Sequence, residues 1–129
     1  MKTIVIFLSI TLAMAGSSAA QDSMNGSALQ EECRAANNPD EDIHSEKDKT
    51  DLVHCLGYIR GTLDTFTVWK KFDGKNTDAV VRSTCVPQAV SAGQAAKLVL
   101  KYLSAHPENL HWSAPALILI PMSVAFPCK

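Results

Sequence analysis

Four histidines, four cysteines and a mid-helix carboxylate are the residues of this chain that could do chemistry. His54 stands beside Cys55, as in a thiol–imidazole pair, but neighbours on a helix point about 100° apart. A cysteine held in an oxidised crosslink is also no nucleophile. His106, Glu108 and His111 could be drawn around a metal ion, yet a five-residue step across Pro107 suits a helix-start turn better than a ligand set. Asp64 has no second acid at a helical spacing, so it is expected to cap or pair with a neighbouring segment. No Gly-x-Ser-x-Gly, phosphate loop, HExxH or CxxCH occurs. The residues read as non-enzymatic, with no catalytic group, no cofactor and no metal.

The cysteines read as structure. Cys33, Cys55, Cys85 and Cys128 make an even count, and the chain begins with an export signal. Lys2 precedes an apolar run from Ile4 to Met14, and Ser18-Ala19-Ala20 fits a signal-peptidase site, so residues 1–20 are expected to be cleaved. The apolar run is shorter than the roughly 18 residues a membrane span needs. In an oxidising compartment four cysteines argue for two disulfides. Three connectivities exist. Cys33–Cys55 with Cys85–Cys128 is preferred, because each pair then ties neighbouring helical segments. Loop closure of those lengths contributes about 3 and about 4 kcal/mol, comparable with the whole stability of a small domain. The cysteines lack the close pairing of a zinc site.

Lys2 is the one charge in residues 1–20, so the mature 109 residues carry 11 Lys+Arg against 13 Asp+Glu. A net charge of −2 gives no footing for nucleic acid. The acids are concentrated: residues 31–51 hold Glu31, Glu32, Asp40, Glu41, Asp42, Glu46, Asp48 and Asp51 against Arg34, Lys47 and Lys49. Such an end is a solvated connection or a steering surface for a basic partner.

The elements that must position these residues are helices. Leu52, Leu56, Ile59, Leu63 and Phe66 recur in steps of four and three, which predicts an amphipathic helix over residues 50–72, capped by Asp48 or Thr50 and central to the domain. Gly57 and Gly61 lie one turn apart beside that stripe, where a second helix could approach closely. Residues 21–28 are expected to be a flexible start. Ser27 with Gln30 predicts a capping box for a short helix ending near Asn37-Asn38-Pro39. Residues 39–49 read as a solvated connection, Asp73-Gly74-Lys75-Asn76 as a turn, Asp78–Ser83 as one helical turn, and Cys85-Val86-Pro87 as extended chain. Ser91 and Gln94 predict a capping box opening a helix to Ala105, with Ala95, Leu98, Val99 and Tyr102 buried. From Leu110 to Phe126 the chain is apolar on most sides, hence buried on most sides, with Pro115 and Pro121 each expected to kink or split it. Residues 29–129 are one all-α domain, a small disulfide-stapled bundle of about four helices.

The ordered set Cys55-Leu-Gly-Tyr58-Ile-Arg-Gly61-Thr-Leu-Asp64, Cys85-Val-Pro87, Tyr102-Leu-Ser-Ala-His106-Pro107-Glu108 and Ala125-Phe126-Pro127-Cys128 resembles the Rap/Tai immunity family, exported antidotes to type VI secretion amidase effectors. The resemblance covers residues 29–128. It implies a periplasmic helical protein, often a homodimer, that binds a peptidoglycan-cleaving cysteine amidase and blocks its cleft with a protruding loop. Cys55, Gly57, Gly61, Asp64, Cys85, Pro87, His106, Pro107 and Cys128 carry over as structural positions, while Pro121 departs from the family's helix-forming residues there. Contact loops are expected at Asp73, Lys75, Asn76 and Asp78 and at His106, Glu108 and Asn109, with Asp40, Glu41 and Asp42 steering a basic effector. The alternative is a periplasmic stress chaperone or a cell-envelope accessory protein.

Overall fold

The computed structural model describes residues 23–72 and 78–129; the expected export signal and the expected contact positions Asp73, Lys75 and Asn76 lie outside the described residues. Six α-helices follow in order: α1 (Gly26–Cys33), α2 (Pro39–Asp42), α3 (Glu46–Phe72), α4 (Ala79–Ser83), α5 (Ala92–Ala105) and α6 (Ala114–Ala125). Single 3-10 turns follow α1 and precede α6. The described residues form no strand, only two isolated antiparallel bridges, Asn25 with Ser113 and Thr84 with Pro127. The fold is all-α, and α1, α3, α5 and α6 are the four helices that build the bundle.

The centre belongs to α5 and α6 rather than α3. Of 27 residues in α3 only Cys55 and Ile59 are buried, whereas α6 buries six of 12 and α5 five of 14. The reason is stripe width. The steps of four and three in α3 give one narrow apolar face, while α6 is apolar around its circumference and must be enclosed. Leu29, Ile59, Val99, Leu103, Leu117, Ile118 and Met122 form the fully buried core. The buried face of α5 is Ala95, Ala96, Val99, Leu100 and Leu103, with Leu98 and Tyr102 half-buried at its edge.

Several local expectations are corrected. Helix α3 starts at Glu46, four residues before Thr50, because the Ser45 hydroxyl oxygen accepts from Asp48 N at 3.2 Å and donates to the Asp48 carboxylate at 2.8 Å. The His44 amide adds a third bond to Asp48 at 3.0 Å, and these two donors hold the Asp48 carboxyl below the usual range. Residues 39–42, read as open connection, form α2 with Pro39 in its first turn. Helix α6 runs unbroken. Pro115 sits in its first turn, where a missing N–H costs nothing, and Pro121 is buried within it, so surrounding packing holds the chain helical past one lost bond.

The start of the domain is docked. Asn25, not Ser27, caps α1, its side chain accepting from Ala28 N at 3.0 Å. Gly26 N donates to Trp112 O at 3.0 Å, Ser27 N to Leu110 O at 3.1 Å, and Ala114 N to Met24 O at 2.9 Å. A Cβ on Gly26 would come within 2.9 Å of the Leu110 backbone and 2.5 Å of Leu117 Cδ1. Glycine is therefore required by proximity of backbone to backbone. Gly26→Ala is expected to lower unfolding stability by about 1–3 kcal/mol through overpacking, read as a shift of the urea midpoint at unchanged m-value.

Candidate functional site

Two disulfides fix the frame on which exposed groups are displayed: Cys33–Cys55, joining α1 to α3, and Cys85–Cys128, joining the segment after α4 to the C-terminal tail. This is the connectivity preferred from the sequence. The first lies wholly in the core, with both cysteines 0% exposed. Around the second, Cys85 N donates to Phe126 O and Cys128 N to Ser83 O, each at 2.8 Å.

The outer side of α3 carries an open surface. Gly57 and Gly61 do not receive another helix: a Cβ at either would meet nothing within 4 Å. They line the floor of an open groove with Tyr58, Thr65, Trp69 and Pro115. Tyr58 and Pro115 also border a second concavity, walled by Met24, Glu32, His54 and Ser113. The two hollows share Tyr58 and Pro115, and together they make a shallow trough whose α3 lining runs from His54 to Trp69. Trp69 is 56% exposed, and Phe72 at the helix end is 86% exposed. Sequence reading passed over Tyr58 and Trp69 as site residues; the signal was one aromatic between the two glycines and a second two turns beyond them.

The loop after α5 is differently built. His106 terminates α5, and its ring rests against Tyr102 with centroids 4.5 Å apart. The His106 Nδ1 lies 3.0 Å from Glu108 Oε1, and Asn109 Nδ2 donates to the Tyr102 hydroxyl at 3.0 Å. Pro107 opens the following 3-10 turn. His106, Glu108 and Asn109 are thus brought together, but their polar groups are turned on one another, which makes a stiff corner. Of the other predicted contact positions, Asp78 caps α4, accepting from Val80 N at 2.8 Å.

The chemistry-bearing residues are placed apart. His54 Nδ1 pairs with Glu32 Oε2 at 2.6 Å across α3 and α1, while Cys55 faces the core. His111 lies edge-on to Trp112 and outside the His106–Glu108 pair. Asp64 pairs with Arg60 of its own helix at 3.2 Å, not with a neighbouring segment, because both side chains stand on the solvent face one turn apart. Pro87 lies in the exposed turn before α5, its carbonyl accepting from Val90 N at 3.0 Å. Among the described residues, no group of three or more His, Cys, Asp or Glu is gathered as a metal site would need, and no helix is long and apolar enough to cross a membrane. The arrangement presents surface for contact with another molecule.

The sequence model of the Rap1a immunity proteins matches residues 25–128. The chain belongs to this family. No curated protein and no solved structure matches it. Membership makes it an immunity protein directed against a secreted effector, a class that inhibits rather than catalyses.

The stiff corner has a measurable signature. The His106 side chain, and after it the backbone of Glu108 itself, hold the Glu108 carboxyl below its usual range. A carboxyl lowered in the folded state stabilises above its unfolded pKa, and that contribution is lost as pH falls through the folded value. In a 13C NMR titration the Glu108 carboxyl is expected to titrate at lower pH in the parent than in His106→Ala; coincident curves would remove the pair from the corner's support.

Proposed function

We propose that this protein acts in the periplasm after export, where it binds a secreted peptidoglycan amidase and occludes its active-site cleft. The observation that carries the reading is the family match across residues 25–128. Occlusion is a binding mechanism, in which a body filling the cleft denies it to water and to substrate. Such a body benefits from stiffness, since segments already ordered lose less freedom on association. The two disulfides, the Asn25, Ser45 and Ser91 caps and the His106 corner supply that stiffness.

The trough along α3 is the contact surface we favour. Aromatic residues supply most of the binding energy at the centres of interfaces; Trp69 stands exposed at one end of it, with exposed Phe72 beyond it at the end of the helix. Acidic Asp40, Glu41 and Asp42 on α2 supply a negative field that raises the encounter rate with a basic effector. The contact requires no bond-making group on this chain.

Purified mature protein, mixed at stoichiometric concentration with a secreted peptidoglycan amidase of the same organism, is expected to stop peptidoglycan hydrolysis. Trp69→Ala is expected to weaken the complex by about 2 kcal/mol, close to thirtyfold in Kd, with Tm unchanged because the ring is largely solvated. Full hydrolysis in excess protein would contradict the proposal. Undiminished affinity of the Trp69 variant would move the contact off α3.

A further inference from the structure

The two crosslinks differ in what surrounds them. Cys33 and Cys55 are enclosed in the core, whereas Cys85 is exposed and Cys128 half-buried. The Lys70 ammonium, near the end of α3, donates to the Thr84 carbonyl at 2.9 Å and lies 2.9 Å from Cys85 Sγ and 2.8 Å from Cys128 Sγ. Lys70, Thr84 and Cys85 also border a cavity of about 220 Å³, with Leu63, Phe66 and Leu119 on its apolar walls. The crosslink can thus be approached from solvent, and a cation is anchored against both of its sulfurs.

A disulfide sulfur is a weak, neutral acceptor, so Lys70 gains little from it while the bond is intact. Beside a thiolate the same ammonium forms a charge pair at contact distance. An interaction stronger after reduction than before it shifts the equilibrium toward the reduced form. It also favours departure of the leaving sulfur, whose ease of leaving as thiolate helps set the rate of exchange.

We propose that Cys85–Cys128 is a thiol–disulfide exchange site for a dithiol reductant, with Lys70 as the positioning charge that stabilises the departing thiolate. The inference is independent of which effector the protein binds. A thiolate of the reductant attacks the exposed Cys85 Sγ and forms a mixed disulfide. The bond to Cys128 breaks, and its electron pair leaves on Cys128 Sγ beside Lys70. The second thiol of the reductant loses its proton, attacks the mixed disulfide, closes the reductant's own disulfide and releases Cys85 as thiolate. Two electrons pass from the dithiol to the crosslink, and the two protons shed by the reductant are available to the two cysteines. The backbone bonds from Cys85 N to Phe126 O and from Cys128 N to Ser83 O keep the sulfurs facing one another, so the bond can re-form in place.

The test exposes the mature oxidised protein to dithiothreitol, quenches with iodoacetamide at intervals and maps the labelled cysteines by mass spectrometry. Cys85 and Cys128 are expected to label before Cys33 and Cys55. Lys70→Met is expected to slow their opening about tenfold and to shift the equilibrium in a dithiol buffer about tenfold toward the disulfide, ~30 mV, with Lys70→Arg close to the parent. A lysine that merely braces the fold would do the opposite, since its loss would loosen the site and speed opening. Simultaneous labelling of all four cysteines, or opening of the Met variant as fast as the parent, would overturn the proposal.

Discussion

A helix of 27 residues that fully buries two side chains and half-buries Leu52, Leu56, Tyr58 and Leu63 against the core leaves most of its length to solvent, and the rest of the fold depends on how it is fastened. One of the two buried side chains is Cys55, and its bond to Cys33 adds a covalent tie to the packing of α3 on α1. In turn α1 is docked on the segment before α6 by the hydrogen bonds around Gly26. The load therefore runs from the exposed helix through a sulfur bridge and a glycine contact into the enclosed α6. At the far end of α3, Lys70 reaches the Thr84 carbonyl beside the second crosslink. The long helix is thereby fastened to one disulfide within its first half and beside the other near its C-terminal end, and its outer side stays exposed.

That free side is where the family's function and the physics meet. A stripe too narrow to wrap the helix leaves Gly57, Gly61 and Trp69 exposed, with half-buried Tyr58 packed against the core at the edge of the trough. Buried, such residues would only add to the core. Exposed on a frame with two covalent ties, they form the surface we propose for contact with the effector. The polar groups of the corner after α5 are mutually satisfied, so that corner lends shape more than unpaired donors.

Much of this was legible in the residues. The Ser91–Gln94 capping box, the apolar positions of α3 and the enclosure of α6 follow from spacing and side-chain type, because local chemistry decides them, whereas the disulfide pairing was a preference among three connectivities that the fold decides. What was not legible depended on tertiary partners. Gly57 and Gly61 look like a helix-approach site until the neighbouring helix proves to lie on the other side. Pro121 looks like a break until surrounding packing outweighs one missing bond. The capping role of Asn25 over Ser27 is decided by the chain segment 110–114, far away in sequence, and the start of α3 by Ser45, whose Ser-x-x-Asp signal lay within a charged stretch read as solvated connection. The trough itself is a gap between elements, which no single stretch of sequence encodes.

The most direct measurement of the central claim is hydrogen exchange on the mature oxidised protein, alone and with its bound effector. The account predicts slowed exchange in residues 57–72 and 112–116 on complex formation, with little change in α5. A complex that forms while those two segments exchange at their free rates would contradict it.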